Sequence, residues 1–183
     1  ILASALTTFV AVHVIASGRL VEGALFRHEI SGIVLGYAVT PLSAWFVMVL
    51  GVVAIPVAIY SVGYFGHSVQ ASRLAVVGTA FNLLLGAVEV VFVADSVLAF
   101  LFAWELMTLL TAALVATEHE NPKTLRAACL YLVLSHVGTG CLAAGFLFLG
   151  SAAGSLAFST MLAGDIVSGP ARDALFALFS IGF

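Results

Sequence analysis

Glu105 is a carboxylate set in the middle of an apolar run, and the chemistry open to this chain turns on its position. The run from Asp95 to Asn121 reads DSVLAFLFAWELMTLLTAALVATEHEN. Between Asp95 and Glu118 it holds about 22 residues, which at roughly 1.5 Å each matches a hydrocarbon core of about 30 Å. Glu105 lies ten residues past Asp95, at a depth of roughly 15 Å. An ionisable side chain at that depth costs at least about 2.5 kcal/mol and by default marks a functional position. A carboxylate balanced between desolvation and a nearby cation can load and release a proton. The plainer alternative is a protonated glutamic acid hydrogen-bonded to a neighbouring helix.

The same depth arithmetic places two more polar groups. His136 is ten residues past Arg126 and Asn82 nine past Arg73, so both lie roughly 13–15 Å from the other side. Three polar groups on three successive helices then share one layer near the bilayer centre, as an ion path requires. Histidine titrates near neutrality and can relay a proton. Glu89 sits only about 6 Å inside the Asp95 boundary, and Thr139 is near the centre of the helix that carries His136. Glu105 and His136 are therefore the candidate proton-translocating residues, with Asn82, Glu89 and Thr139 as a secondary polar path. Singly, each residue reads equally as a packed, hydrogen-bonded side chain.

The elements that must position these groups are membrane helices. The 183 residues are 63% hydrophobic and 8% charged, against about 25% charged in soluble domains. The apolar runs are continuous and lack alternation, which favours an all-α polytopic bundle over a barrel. A formal net charge of −3 with no basic stripe excludes nucleic acid as a partner. Cys129 and Cys141 stand twelve apart on one helix, roughly 18 Å, too far to bridge each other. No cofactor or metal site is expected: there is no haem-attachment or cluster motif, and His13 and His136 differ in depth.

In order, Ile1–Gly18 reads as the end of a membrane helix. A connection from Arg19 to Thr40 contains EISGIVLGYAV, which predicts a short surface hairpin. A second helix runs from Pro41 to about Tyr64, with Trp45, Tyr60 and Tyr64 as interfacial anchors and a kink at Pro56. The third, Leu74–Val93, carries Gly78, Asn82, Gly86 and Glu89 on one face, which is expected to be buried against protein. Asp95 marks a tight turn into the Glu105 helix. Asn121 and Pro122 then read as an N-cap and first residue of a fifth helix ending near Leu149. Ser151–Arg172 reads as a surface loop with one short interfacial helix, and a last helix begins at Asp173. That makes about six membrane segments in a single domain over 1–183, a fragment with both end helices truncated. Arg73, Lys123 and Arg126 lie in shorter loops than Arg19, Arg27 and Arg172, which favours the first set as cytoplasmic.

The residues that carry a family likeness are Pro41-Leu42-Ser43-Ala44, Tyr60-Ser61-Val62-Gly63-Tyr64 and Trp104-Glu105-Leu106-Met107. Glu118-His119-Glu120-Asn121 and Leu134-Ser135-His136-Val137-Gly138-Thr139-Gly140 extend it. They resemble the antiporter-like proton-translocating membrane subunits of respiratory complex I and its relatives. Within that family they look most like hydrogenase-4 component B and the membrane subunit of formate hydrogenlyase. The resemblance implies inverted five-helix repeats, with 1–64 as N-terminal helices and 74–183 as most of the first repeat. It also implies that Glu105 pairs with a lysine on a broken helix, beyond Phe183. Redox cofactors would reside in other subunits, so the chain itself would be no complete enzyme. The implied partners are other membrane and peripheral subunits of a redox complex, the lipid bilayer, and H⁺ or Na⁺, in a prokaryotic-type inner membrane. A stand-alone cation/proton antiporter subunit and a purely structural hydrogenase anchor are the rival classes.

Overall fold

The computed structural model describes residues 2–28, 33–65, 71–118, 120–163 and 166–183. Seven helices and one hairpin appear among them: α1 (Leu2–Ser17), β1 (Val21–His28), β2 (Ile33–Val39), α2 (Pro41–Phe65), α3 (Ala71–Val93), α4 (Val97–Val115), α5 (Pro122–Ala153), α6 (Phe158–Met161) and α7 (Pro170–Gly182). The helices α2, α3, α4 and α5 are each long and apolar enough to cross a membrane; α1 is a shorter apolar helix. Because they are apolar around the whole circumference, side-chain size and polarity decide which faces meet.

Local signals fix the boundaries. At the start of α2, Ser43 N donates to Thr40 Oγ1 at 3.1 Å and Thr40 N donates to Ser43 Oγ at 2.7 Å, a reciprocal capping box. Helix α2 continues through Pro56 on both sides. Ser96, not Asp95, caps α4, its hydroxyl accepting from Ala99 N at 3.2 Å. Asn121 caps α5 by accepting from Lys123 N at 3.0 Å, with Pro122 next. Helix α5 extends to Ala153, four residues beyond the expected end, and stops where Gly154 takes φ 67°. Helix α7 opens at Pro170, three residues earlier than expected.

The helices pack largely in sequence: α1 on α2, α2 on α3, α3 on α4, α4 on α5, and α5 on α7. Helix α4 holds the middle because its buried positions are small: Ala99, Ala103, Thr108 and Ala112. Thr108 satisfies its buried hydroxyl by donating to the Glu105 carbonyl at 2.8 Å. Around α1 and α2 the core is Ala11, Val14, Ala44 and Val47, with Phe92 and Val93 of α3 against it. Gly51 of α2 lets α1 approach so closely that an added Cβ would overlap Thr8 Oγ1 and lie 3.2 Å from the Ser4 carbonyl. Gly51→Leu is therefore expected to separate α1 from α2 at a cost of about 1–3 kcal/mol or more. Thermal unfolding of the detergent-solubilised full-length protein, read by tryptophan fluorescence, is the check; an unchanged midpoint would contradict it.

The connection does form a hairpin, but a wider one than expected: the predicted stretch supplies its second strand, Ile33–Val39, and the first strand lies before it, in Val21–His28. Strands β1 and β2 are antiparallel, pairing Val21 with Val39 through His28 with Ile33, with an irregularity between Ala24 and Phe26. Its turn, residues 29–32, lies outside the described residues. The hairpin is fastened to the α3–α4 turn: Asp95 N donates to the Gly36 carbonyl at 2.9 Å, and Tyr37 bridges Ala94. The segment before α6 joins the same end, with Val97 N donating to the Leu156 carbonyl at 2.9 Å. The Asp95 carboxylate accepts from Ser159 N at 3.2 Å and from Ser159 Oγ at 3.3 Å. At the other end, the Arg73 guanidinium donates to the Thr117 carbonyl. Arg27 and Arg73 thus sit at opposite ends of the bundle, as alternating connections require.

The small-residue face of α3 corrects the sequence expectation. Among the described residues its stretch from Gly78 to Gly86 is not buried against protein, and it is Glu89 at its end that meets another helix. A side chain at Gly78 or Gly86 would meet open space, and Asn82 is exposed. The close crossings are made elsewhere, by Gly51 and by Gly138, Gly145 and Gly182 between α5 and α7.

Candidate functional site

Glu105 and His136 meet. On α4, Glu105 is carried to the side of the helix that adjoins α5, and His136 Nε2 lies 2.8 Å from Glu105 Oε1. The imidazole is oriented by its own helix, with Nδ1 2.8 Å from the Leu132 carbonyl one turn earlier. A carbonyl only accepts, so Nδ1 carries its hydrogen. The contact between Nε2 and Oε1 then holds a single proton. With that proton on Nε2 the two groups are an ion pair; with it on Oε1 they are a neutral acid and a neutral ring. Such a pair can move charge by shifting one hydrogen along a 2.8 Å line.

The second carboxylate oxygen, Oε2, is buried and has no hydrogen-bond partner among the described residues. A buried acceptor in that state favours a further donor or a proton. The His136 side chain is 53% exposed and Glu105 30%, so the pair lies at the open side of the α4–α5 seam. There Glu105, His136 and Thr139 line one groove together with Leu98, Leu101 and Phe102. Thr139 turns its hydroxyl back on its own helix, donating to the Ser135 carbonyl at 3.0 Å.

The remaining candidates are placed elsewhere. Asn82 donates to the Gly78 carbonyl at 2.7 Å on its own helix and faces outward, so it does not join Glu105. Equal depth along two helices does not fix equal rotation about their axes, and α3 is turned with its Asn82 side away from α4. Glu89 is on the α1 side of α3, where Thr7 Oγ1 donates to its Oε1 at 3.0 Å. The two intramembrane carboxylates therefore have separate settings. The chain brings Glu105, His136 and Thr139 together and leaves Asn82 and Glu89 apart.

One feature beside the site escaped the sequence reading. Trp104, next to Glu105 in the chain, points about 100° round the helix from it, into an aromatic cluster. Phe100 stacks on Trp104 at 5.5 Å between centroids and meets Phe146, Phe158 and Phe183 edge-on at 5.4, 5.9 and 6.3 Å. Trp104 also meets Phe183 edge-on at 5.6 Å. This cluster ties α4 to α5, α6 and α7, and so fixes the rotation of α4 that points Glu105 at His136. The i, i+4 spacings of Phe100 with Trp104 and of Phe179 with Phe183 were the available signal.

Comparison with known proteins bears on this half of the chain. A family described as "NADH:quinone oxidoreductase/Mrp antiporter, TM" matches residues 94–183, from the Asp95 turn through α7. Hydrogenase-4 component B of Escherichia coli is 27% identical over 142 residues, 78% of this chain. The chain belongs to the antiporter-like family of membrane subunits. An uncharacterized protein of Mycobacterium tuberculosis is 35% identical over 143 residues, again 78% of this chain. The match spans about a fifth of these curated relatives, 21% of each. Among solved structures, the membrane-bound sulfane sulfur reductase, an archaeal respiratory membrane complex, contains a chain that superimposes with a TM-score of 0.76. That superposition covers 98% of this chain and 37% of the other at 22% identity, and shows the shared fold.

Proposed function

We propose that the parent protein is an ion-translocating membrane subunit of a redox-driven complex. The complex is of the hydrogenase-4/formate hydrogenlyase or NADH:quinone oxidoreductase type, in a prokaryotic inner membrane. The ion is a proton, and the Glu105–His136 pair is one station on its path. The observation that carries this reading is the 2.8 Å contact between a carboxylate and an imidazole on two membrane-length helices. Neither group is needed to hold α4 against α5, since small and aromatic side chains already do so. A polar pair costly to place in lipid is then best explained by its chemistry. The buried, unpartnered Oε2 suits a further cationic donor, the role that the family likeness gives to a lysine on a later helix.

The test is reconstitution of the full-length protein with its native partner subunits in proteoliposomes. Electron transfer should acidify one compartment, and a sodium ionophore should leave the pH gradient intact. Electron transfer without any ion gradient would favour a structural anchor. Cation/proton exchange by the assembly with no electron donor added would favour a stand-alone antiporter.

A further inference from the structure

We infer that the pocket beneath the β hairpin is the aqueous mouth of the Glu105–His136 groove, and that Leu98 and Leu35 close the passage between the two. The inference rests on the ion-path reading of the pair. The pocket is about 610 Å³ and lies between the hairpin, the α3–α4 turn and the segment before α6. Its wall is mixed: beside apolar residues it carries Glu22, Arg27, Tyr37, Asp95, Ser96 and Ser155, charged and hydroxyl groups that hold water. The groove with Glu105 and His136 begins where this pocket ends, because Leu98 lines both.

The connection follows one face of α4. Leu98, Leu101/Phe102 and Glu105 succeed one another at steps of three or four residues, so they stand one above another on the helix surface. Leu98 and Glu105 are seven residues apart, roughly 10 Å of helix. Over that distance the groove wall offers only apolar side chains before the pair is reached. A short apolar stretch between a pocket with charged walls and a polar pair excludes water until it widens, and so acts as a gate by dewetting.

Leu35 completes the constriction from the hairpin. It lines the groove, while its neighbours Val34 and Gly36 line the pocket. The Gly36 carbonyl is held by Asp95 N at 2.9 Å, so Leu35 is seated by the same bond that docks the hairpin on the bundle. A small displacement of the hairpin would therefore move Leu35 relative to Leu98, whereas α4 itself is held by the aromatic cluster.

Cysteine accessibility tests this without requiring turnover. The full-length protein is studied in its native assembly in sealed vesicles of known orientation, with every native cysteine replaced and Thr139→Cys as reporter. A small charged methanethiosulfonate that does not cross lipid is added on the hairpin side. With both leucines in place the reporter should react slowly. Leu98→Ser should raise the rate by about tenfold or more, Leu35→Ser should raise it as well, and Leu98→Met should keep it slow. Reagent on the opposite side should show no such gain. Rates that are equal with leucine and with serine at both positions overturn the inference, as does a gain seen only from the opposite side. Should Leu98→Ser fail to assemble, Leu98→Ala and Leu35→Ser carry the same comparison. Gated labelling in an assembly that moves no ions would uphold the gate and reject the translocation reading, so the two fail separately.

Discussion

Glu105→Gln in the full-length parent protein is expected to assemble normally and to lose ion translocation by about tenfold or more, since a general acid–base group typically contributes 10²–10⁴-fold. The reason lies in the proton count of the pair. His136 Nδ1 is committed to the Leu132 carbonyl, so a neutral His136 presents Nε2 as an acceptor. The glutamine amide can donate to that nitrogen, and the contact between α4 and α5 survives with nearly the same volume. What disappears is the hydrogen that can pass between Oε1 and Nε2. Formation of a pH gradient in proteoliposomes, beside electron transfer in the same sample, separates chemistry from packing. Electron transfer tightly coupled to translocation should slow with it. Undiminished pumping by the glutamine variant would reduce Glu105 to a buried hydrogen-bonding group.

Gly182→Leu is expected to detach α7 from α5. A Cβ at Gly182 would lie 2.6 Å from Leu142 Cγ and Cδ2 and 3.2 Å from the Gly138 carbonyl. Leu142 is fully buried and cannot swing aside, and on the facing helix a Cβ at Gly138 would lie 3.1 Å from the Gly182 carbonyl. Overpacking of this kind costs about 1–3 kcal/mol where neighbours can shift, and more where backbone is the obstacle. The damage should reach the site, because Phe183 beside it belongs to the cluster that sets the rotation of Trp104 and so of Glu105. Gly140→Leu is the control: a side chain there meets nothing within 4 Å. Native gel migration and thermal stability of the parent assembly are the readouts. Two variants of equal stability would show that the crossing tolerates separation.

Much of this arrangement was legible in the residues. The helix start at Pro41, the cap at Asn121, the tight turn at Asp95 and the second strand of the hairpin all follow from short-range chemistry, which is written locally. The pairing of Glu105 with His136 was within reach of depth arithmetic, because α4 and α5 are consecutive and antiparallel neighbours share depth. Rotation was not legible. Gly78, Asn82 and Gly86 share a face of α3 as their spacing requires, yet that face looks away from the neighbours this chain supplies. Helical period fixes which residues stand together and says nothing about which helix they meet, and an all-apolar helix offers no polar side to break the tie. Glu89 illustrates the same limit, since its partner Thr7 is 82 residues away. The aromatic cluster that settles the rotation of α4 draws on four helices, and no short stretch displays it.

The fastening at Asp95 sets a timetable for synthesis. The hairpin is complete by Val39, and Gly36 receives its bond once Asp95 has been made. The Asp95 carboxylate must then wait for Ser159, 64 residues later. At translation rates of about 5–20 residues per second that interval lasts roughly 3–13 s. During it α5 must be made and delivered to the bilayer while the Asp95 carboxylate still lacks both of its Ser159 donors. Because α4 leaves this end of the bundle and α5 returns to it, Ser159 reaches Asp95 only when both helices have crossed.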